Sequence, residues 1–267
     1  MLQYDADGTA LYGWIAWVDD ATPQPGVLLF HTGAGPQDVF LRWRAVSLAR
    51  MGYIALVADV FGDASGAAWT PRGKASLGVS HVAYNRTLRE RRALAALMRL
   101  RRHPRVDPTR IAVMGWCFGG LAAFDLARIS ASARDVAVSG RASAPLGLRA
   151  IITFHGVLAS CLAAPLTDGS AALSARVLVL AGEDDPFAGR ADELTACADR
   201  LRAAGAAWEV KTYRHARHAF TNPGQTTEPD PDLDYDEEAA GAAWAAALDL
   251  LCETSVSTGC REHWAAS

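Results

Sequence analysis

The sequence predicts an α/β fold with a mostly parallel central sheet flanked by helices on both faces. Three observations carry this. Short uninterrupted apolar runs such as Val27-Leu-Leu-Phe30 recur along the chain, the pattern of strands buried on both faces. Segments with helical spacing separate those runs, which is the order of βαβ units. Gly, Pro and Asp stand at the joins.

Taken in order, Leu11 to Val18 reads as an edge strand, and Thr22-Pro-Gln-Pro-Gly26 as a turn before the buried strand Val27 to Phe30. Phe40 to Met51 has helical spacing and stops at Gly52, a C-terminal cap signal. Tyr53 to Ala58 is the next buried strand, and residues 59 to 80, rich in Gly, Ser and Asp, form a loop. An Arg-rich helix runs from about Thr87 to Arg102, where His103-Pro104 stops it. After an Asp107-Pro108 turn comes the strand Ile111 to Met114. The second half continues with a helix at Leu121 to Arg128, a low-complexity surface stretch from Ser130 to Ala144, and strands at Ile151 to Phe154 and Val177 to Leu180. A helix from Asp192 to Ala204, a strand from Trp208 to Tyr213 and a last helix from Glu237 to Leu251 complete the series. No linker divides it, so one domain over residues 1–267 is expected, with a short tail at 253–267.

Composition excludes several classes. The 267 residues are 51% hydrophobic and 21% charged, which suits a folded domain. The formal net charge of −3 offers no general attraction for polyanions, so nucleic acid is not an expected partner. No stretch approaches the roughly 18 uninterrupted apolar residues of a membrane span, so no membrane role is expected. Met1 to Tyr12 has neither a basic segment nor an apolar core, which predicts a cytoplasmic protein. Lys74 and Lys211 are the only lysines, alanine is in excess, and the many arginines read as composition bias; the cluster from Arg86 to Arg105 is most simply a solvated helix face. Seven acids between Glu228 and Glu238 suit a solvated loop entering the last helix. The five cysteines, at 117, 161, 197, 252 and 260, are odd in number and widely spaced, against both a disulfide framework and a zinc site. Cys161, Cys197, Cys252 and Cys260 read as packing thiols.

Cys117 reads differently. In Ile111-Ala-Val-Met-Gly115-Trp116-Cys117-Phe118-Gly119-Gly120-Leu121 a strand runs through Gly-x-Cys-x-Gly-Gly straight into a helix, the nucleophile-elbow pattern with Cys for Ser. A sharp strand-to-helix turn strains its central residue and crowds the positions two either side, hence the glycines. The helix N-terminus then faces the sulfur, favouring thiolate, and the Phe118 N–H becomes a natural oxyanion donor. A thiol nucleophile needs a base, and the base an orienting acid. Both follow later strands: Val177-Leu-Val-Leu180 runs into Ala181-Gly-Glu-Asp184-Asp185-Pro186, and Trp208 to Tyr213 into Arg214-His215-Ala-Arg-His218-Ala-Phe220. Asp185, stiffened by the following Pro, is preferred over Asp184, and His218, anchored by Phe220, over His215. His215 and His218 lack further ligands for a closed metal site. His155, after a strand, is a candidate pocket residue, with a satisfied structural histidine as the other reading.

On Gly115-Trp-Cys-Phe-Gly-Gly120, Gly182-Glu-Asp-Asp-Pro186, Ala216-Arg-His-Ala-Phe-Thr-Asn-Pro223 and Met51-Gly-Tyr-Ile-Ala-Leu-Val-Ala-Asp-Val-Phe-Gly62, the chain resembles the dienelactone hydrolase family of α/β-hydrolases over residues 4 to 252. The resemblance implies cofactor-independent hydrolysis of small carboxylic esters or lactones through an acyl-enzyme, without metal, by Cys117, His218 and Asp185. The second oxyanion N–H would come from Gly33. The sequence departs from the family where an acid contacts the resting thiol: Thr32, a candidate pocket residue, stands there in His31-Thr-Gly-Ala-Gly35, so either His218 activates Cys117 directly or the enzyme is slow. A non-catalytic small-molecule-binding protein on the same fold, or an acyltransferase or thioesterase on the same three residues, are the alternatives. The expected partner is a small-molecule ester or lactone, and a monomer or homodimer is expected.

Overall fold

The computed structural model describes residues 1–20, 22–62, 81–132, 146–169, 171–227 and 230–255. Its eight strands are β1 (Leu2–Ala6), β2 (Thr9–Ala16), β3 (Gln24–Phe30), β4 (Ile54–Ala58), β5 (Val106–Trp116), β6 (Leu148–Phe154), β7 (Arg176–Gly182) and β8 (Trp208–Tyr213). They form one sheet in the order β1-β2-β4-β3-β5-β6-β7-β8. The β1–β2 and β2–β4 pairs are antiparallel and the rest parallel. The helices are α1 (Val39–Arg50), α2 (Arg86–Arg101), α3 (Gly119–Ala131), the short α4 (Ala159–Ala163), α5 (Ala191–Ala203) and α6 (Glu237–Ser255).

Each central strand puts alternate side chains into two separate cores. Val27, Leu29, Ala112, Met114, Trp116, Ile152 and Phe154 pack against α1 and α6. Leu28, Phe30, Ile111, Val113 and Ile151 pack against α2, α3 and α5. This is why the strands read as continuous apolar runs: neither face meets water. The Trp116 and Phe154 rings stack at 4.5 Å between adjacent strands. Side-chain caps start three helices where Asp38 accepts from the Phe40 N–H, Asn85 from Leu88 and Asp236 from Ala239.

Three expectations need correction, and one helix had no counterpart among them. The strand from Leu11 is not at the edge, because β1 lies outside it; Asp7 (φ 52°) and Gly8 (φ 82°) close a two-residue hairpin between Ala6 and Thr9, and Asp-Gly is the signal for that turn. The Asp107-Pro108 segment is not a turn ahead of β5 but an irregularity within it. Pairing with β3 jumps from Pro25–Asp107 to Gly26–Ile111, since Pro108 has no N–H for the ladder. The short α4 was not expected at all. The Arg-rich helix α2 is not simply a solvated face: Arg89 and Arg92 are buried. Arg89 pairs with the fully buried Asp125, and Arg92 donates to the Val60 and Phe61 carbonyls, so the charge repeat conceals an inward side.

The expected 59–80 loop beyond Gly62, the 130–144 stretch beyond Ser132, Glu228, Cys260 and the rest of the tail lie outside the described residues. Among the described residues, no helix is long and apolar enough to cross a membrane.

Candidate active site

The turns that carry chemistry all leave the C-terminal ends of parallel strands, where ligands bind in open α/β sheets. β3 ends at Phe30 and leads to His31-Thr32-Gly33, and the adjacent β5 ends at Trp116 and leads to Cys117. Beyond β6, the neighbours β7 and β8 lead to Asp185 and His218.

Cys117 has φ 51°, in the left-handed region that a side chain adopts only at a cost. The surroundings enforce it. The Cys117 N–H donates to Phe154 O, and its own carbonyl accepts from Gly120 and Val157. The flanking glycines are required by close approach. A Cβ on Gly115 would lie 2.4 Å from Gly119 O, and one on Gly119 would lie 2.4 Å from Phe30 O of β3.

The structure brings Cys117, His218 and Asp185 together. His218 hydrogen-bonds the Cys117 sulfur through one side of its ring, while Nδ1 lies 2.8 Å from Asp185 Oδ2. Asp185 and His218 are both buried, and Asp185 Oδ1 accepts from the Phe187 and Ala188 N–H groups at 2.8 and 2.9 Å. Asp184 and His215 instead face each other at 3.6 Å in solvent. The Phe118 and Gly33 N–H groups both point at the sulfur.

Electrostatics follow from this arrangement. Burial pushes the Cys117 thiol up, but the His218 hydrogen bond and charge, with the two backbone N–H groups, outweigh it and hold the thiol below its usual range. Burial alone would lower His218, yet its bonds to Asp185 and Cys117 push it up to about 10. Both directions favour a thiolate–imidazolium pair.

Thr32 does not turn its hydroxyl to the thiol. Its Oγ1 accepts from the Ala34 N–H at 3.1 Å and reaches Asp38 at 3.5 Å, shaping the loop that carries Gly33. His155 is 1% exposed and packs edge-on behind His218 at 4.9 Å, with Nε2 3.0 Å from Thr221 Oγ1. Its buried Nδ1 has no hydrogen-bond partner among the described residues, so the ring is only half satisfied. Burial holds it well below the usual histidine range, so it supports His218 without competing for its proton. The Cys161 and Cys197 sulfurs pack against each other in the core, 2.8 Å apart. Part of the acidic segment is a brace: the Asp234 N–H donates to His218 O and Asp236 N–H to Phe220 O.

Sequence reasoning passed over three residues. Phe187 is 54% exposed, with its ring edge-on to His218 at 5.2 Å. Phe61 and His31 pack beside Phe118. The available signals were an aromatic directly after Asp-Pro and a histidine directly before Thr-Gly.

Comparison with known proteins identifies the family and the fold. The family model of the dienelactone hydrolase family matches residues 11–255. The chain is 32% identical to the dienelactone hydrolase-like promiscuous phosphotriesterase P91 from metagenomic libraries, with a TM-score of 0.79 and coverage of 94% of this chain and 96% of that one. An esterase from Thermogutta terrifontis, solved with propionate bound, shares the fold at 18% identity and a TM-score of 0.62 over 94% and 93% of the two chains. An uncharacterized protein of Caenorhabditis elegans is 28% identical over 162 residues, 60% of this chain and 89% of that protein. With sheet order and family match in agreement from the second strand to the last helix, the chain belongs to the dienelactone hydrolase family and is a hydrolase of the α/β-hydrolase fold.

Proposed function

We propose that this protein hydrolyses small carboxylic esters, lactones among them, through a thioester on Cys117. The observation that carries the reading is the convergence of His218 and two backbone N–H groups on one strained thiol. The thiolate adds to the acyl carbon, forming the C–S bond, and the carbonyl electrons move onto oxygen between the Phe118 and Gly33 N–H groups. On collapse the C–O bond to the alcohol breaks, and the His218 imidazolium protonates the leaving oxygen. Neutral His218 then takes a proton from water as it adds to the thioester. The C–S bond breaks, the acid leaves, and the thiolate and imidazolium are restored. Asp185 holds the ring so that one nitrogen serves the sulfur throughout. The lowered thiol beside His218 supports direct activation of Cys117 where Thr32 replaces the family's acid.

The likeness to a promiscuous phosphotriesterase supports a second substrate class, phosphotriesters. The same thiolate would form a P–S bond as the P–O bond to one alcohol breaks, and His218 would protonate that alcohol. Water activated by His218 would then break the P–S bond to release the phosphodiester. Turnover of p-nitrophenyl acetate with an acyl mass increment on Cys117, and loss of both in Cys117→Ala, are the expected results. Unchanged turnover in Cys117→Ala refutes the reading, and ligand binding without turnover across an ester, lactone and phosphotriester panel refutes it in favour of a binding protein.

A further inference from the structure

His31 is fully buried at the end of β3, flanked by the Phe61 ring at 4.4 Å and the Phe118 ring at 5.9 Å. Its two nitrogens meet partners of fixed polarity. The Val60 N–H can only donate, and it points at Nε2 at 3.3 Å; the Thr32 carbonyl can only accept, and it lies 2.7 Å from Nδ1. The tautomer follows from the partners: a neutral ring with its proton on Nδ1. Val60 is itself held in place. Asp59 accepts from the Tyr12, Phe61 and Gly62 N–H groups, and Arg92 donates to the Val60 and Phe61 carbonyls.

The bonded carbonyl has a particular significance. Thr32 C=O and Gly33 N–H belong to one planar trans peptide unit, so they point in opposite directions. Drawing the carbonyl toward Nδ1 turns the Gly33 N–H the other way, and that N–H points at the Cys117 sulfur. A donor on a carbonyl also polarises the amide and strengthens its N–H as a donor. The same carbonyl accepts from the Gly35 N–H at 3.2 Å, so His31 is the second of two anchors.

We propose that His31 is a positioning residue, which orients and polarises the Thr32–Gly33 peptide so that the Gly33 N–H is aimed at the developing oxyanion. This rests on the thioester reading above. It assigns to a buried side chain with no substrate contact a share of transition-state stabilisation.

Three variants test it. His31→Leu removes both bonds. His31→Asn can place an amide N–H where Nδ1 stands, whereas His31→Gln reaches the Nε2 side. With p-nitrophenyl acetate, Leu and Gln should lower kcat about 10- to 100-fold with KM little changed, below the roughly 10²- to 10³-fold loss on removing an oxyanion donor outright, because Gly35 still holds the carbonyl. Asn should recover most of the loss. A role in packing alone predicts the reverse order, since Asn is the smallest and most polar filler between Phe61 and Phe118. The inhibition constant of a trifluoromethyl ketone, whose thiol adduct carries an oxyanion, should rise in step with the fall in kcat/KM, while alkylation of Cys117 by iodoacetamide slows far less. If Leu does not fold, the Asn-against-Gln comparison still decides. Equal kcat in wild type, Leu and Gln, or no recovery in Asn, overturns the role of His31 alone, provided wild-type Cys117 carries the acyl mass. Absence of that mass overturns the thioester reading and this role with it.

Discussion

Replacing Asp185 by Asn probes the pair that sets the thiol. The carboxylate serves three donors: Phe187 N–H and Ala188 N–H on Oδ1, and His218 Nδ1 on Oδ2. Asn has one acceptor oxygen to distribute. Turned toward His218, it would set its NH₂ against two buried N–H groups; turned toward those N–H groups, it loses only one bond. The second choice costs less, because each buried unsatisfied donor costs about 1–3 kcal/mol. It leaves an amide N–H facing Nδ1, which forces the proton onto Nε2, so neutral His218 presents a donor where the thiol needs an acceptor. The imidazolium also loses a charge-assisted bond of about 1.5–3 kcal/mol, which at 1.36 kcal/mol per decade lowers the thiolate–imidazolium population about 10- to 150-fold. Adding the tautomer penalty, kcat/KM for p-nitrophenyl acetate should fall about 10²- to 10³-fold while the fold persists. Iodoacetamide alkylation across pH reads the thiolate directly, and its midpoint in Asp185→Asn should move up toward the ordinary thiol value of 9.0. An unmoved midpoint with kcat/KM within about threefold of wild type would refute the reasoning.

Three further outcomes follow from the same contacts. Gly119→Ala drives a methyl to 2.4 Å from Phe30 O, so thermal melts should show a loss of about 1–3 kcal/mol or more; an unchanged melting temperature contradicts the crowding account. Asp125→Ala strands the buried Arg89 and Arg128 and should cost about 3–5 kcal/mol in urea titration, more than the concerted Arg89→Met/Asp125→Leu/Arg128→Met change, with equal losses counting against a buried ion-pair network. For pH, His218 is raised from 6.5 to about 10, so its stabilisation is complete below about 6.5 and lost as pH rises through about 10. Cys117 is lowered from 9.0, so its share is complete above about 9 and lost as pH falls. The slopes cancel between, since the native ion pair and the unfolded neutral pair each hold one proton. The stability difference between wild type and the Cys117→Ala/His218→Asn double variant should therefore be level just below about pH 9, where the native thiol is ionised, and fall on the alkaline side as His218 loses its proton; a decline with no level stretch below about pH 9 argues against the ion pair.

Much of the fold was legible in the residues. β8 was read to its ends and the α1, α2 and α5 ends to within one residue, because capping signals such as Gly52 and Gly205 are local. β1 was missed although Asp7-Gly8 announces its hairpin, since five residues with a single buried side chain carry little apolar signal. The inward side of α2 was illegible for a different reason. An arginine that will be paired and buried is the same letter as one that will be solvated, and Asp125, the partner of Arg89, lies 36 residues away. In the site, Cys117 could be picked out because a strained turn demands glycines at fixed spacing, whereas Asp185 against Asp184 and His218 against His215 were adjacent alternatives.

The sequence by itself determined the alternation of strand and helix, the crowded turn at Cys117 and the order in which thiol, acid and histidine follow β5, β7 and β8. Those properties depend on neighbours within a few residues, where backbone sterics and periodicity act. Which carboxylate faces which ring, which carbonyl His31 grips and where the Gly33 N–H points were decided by tertiary structure. Sheet order places β3 beside β5 and β7 beside β8 across long stretches of chain, and a hydrogen bond reports only the angstroms between its two atoms.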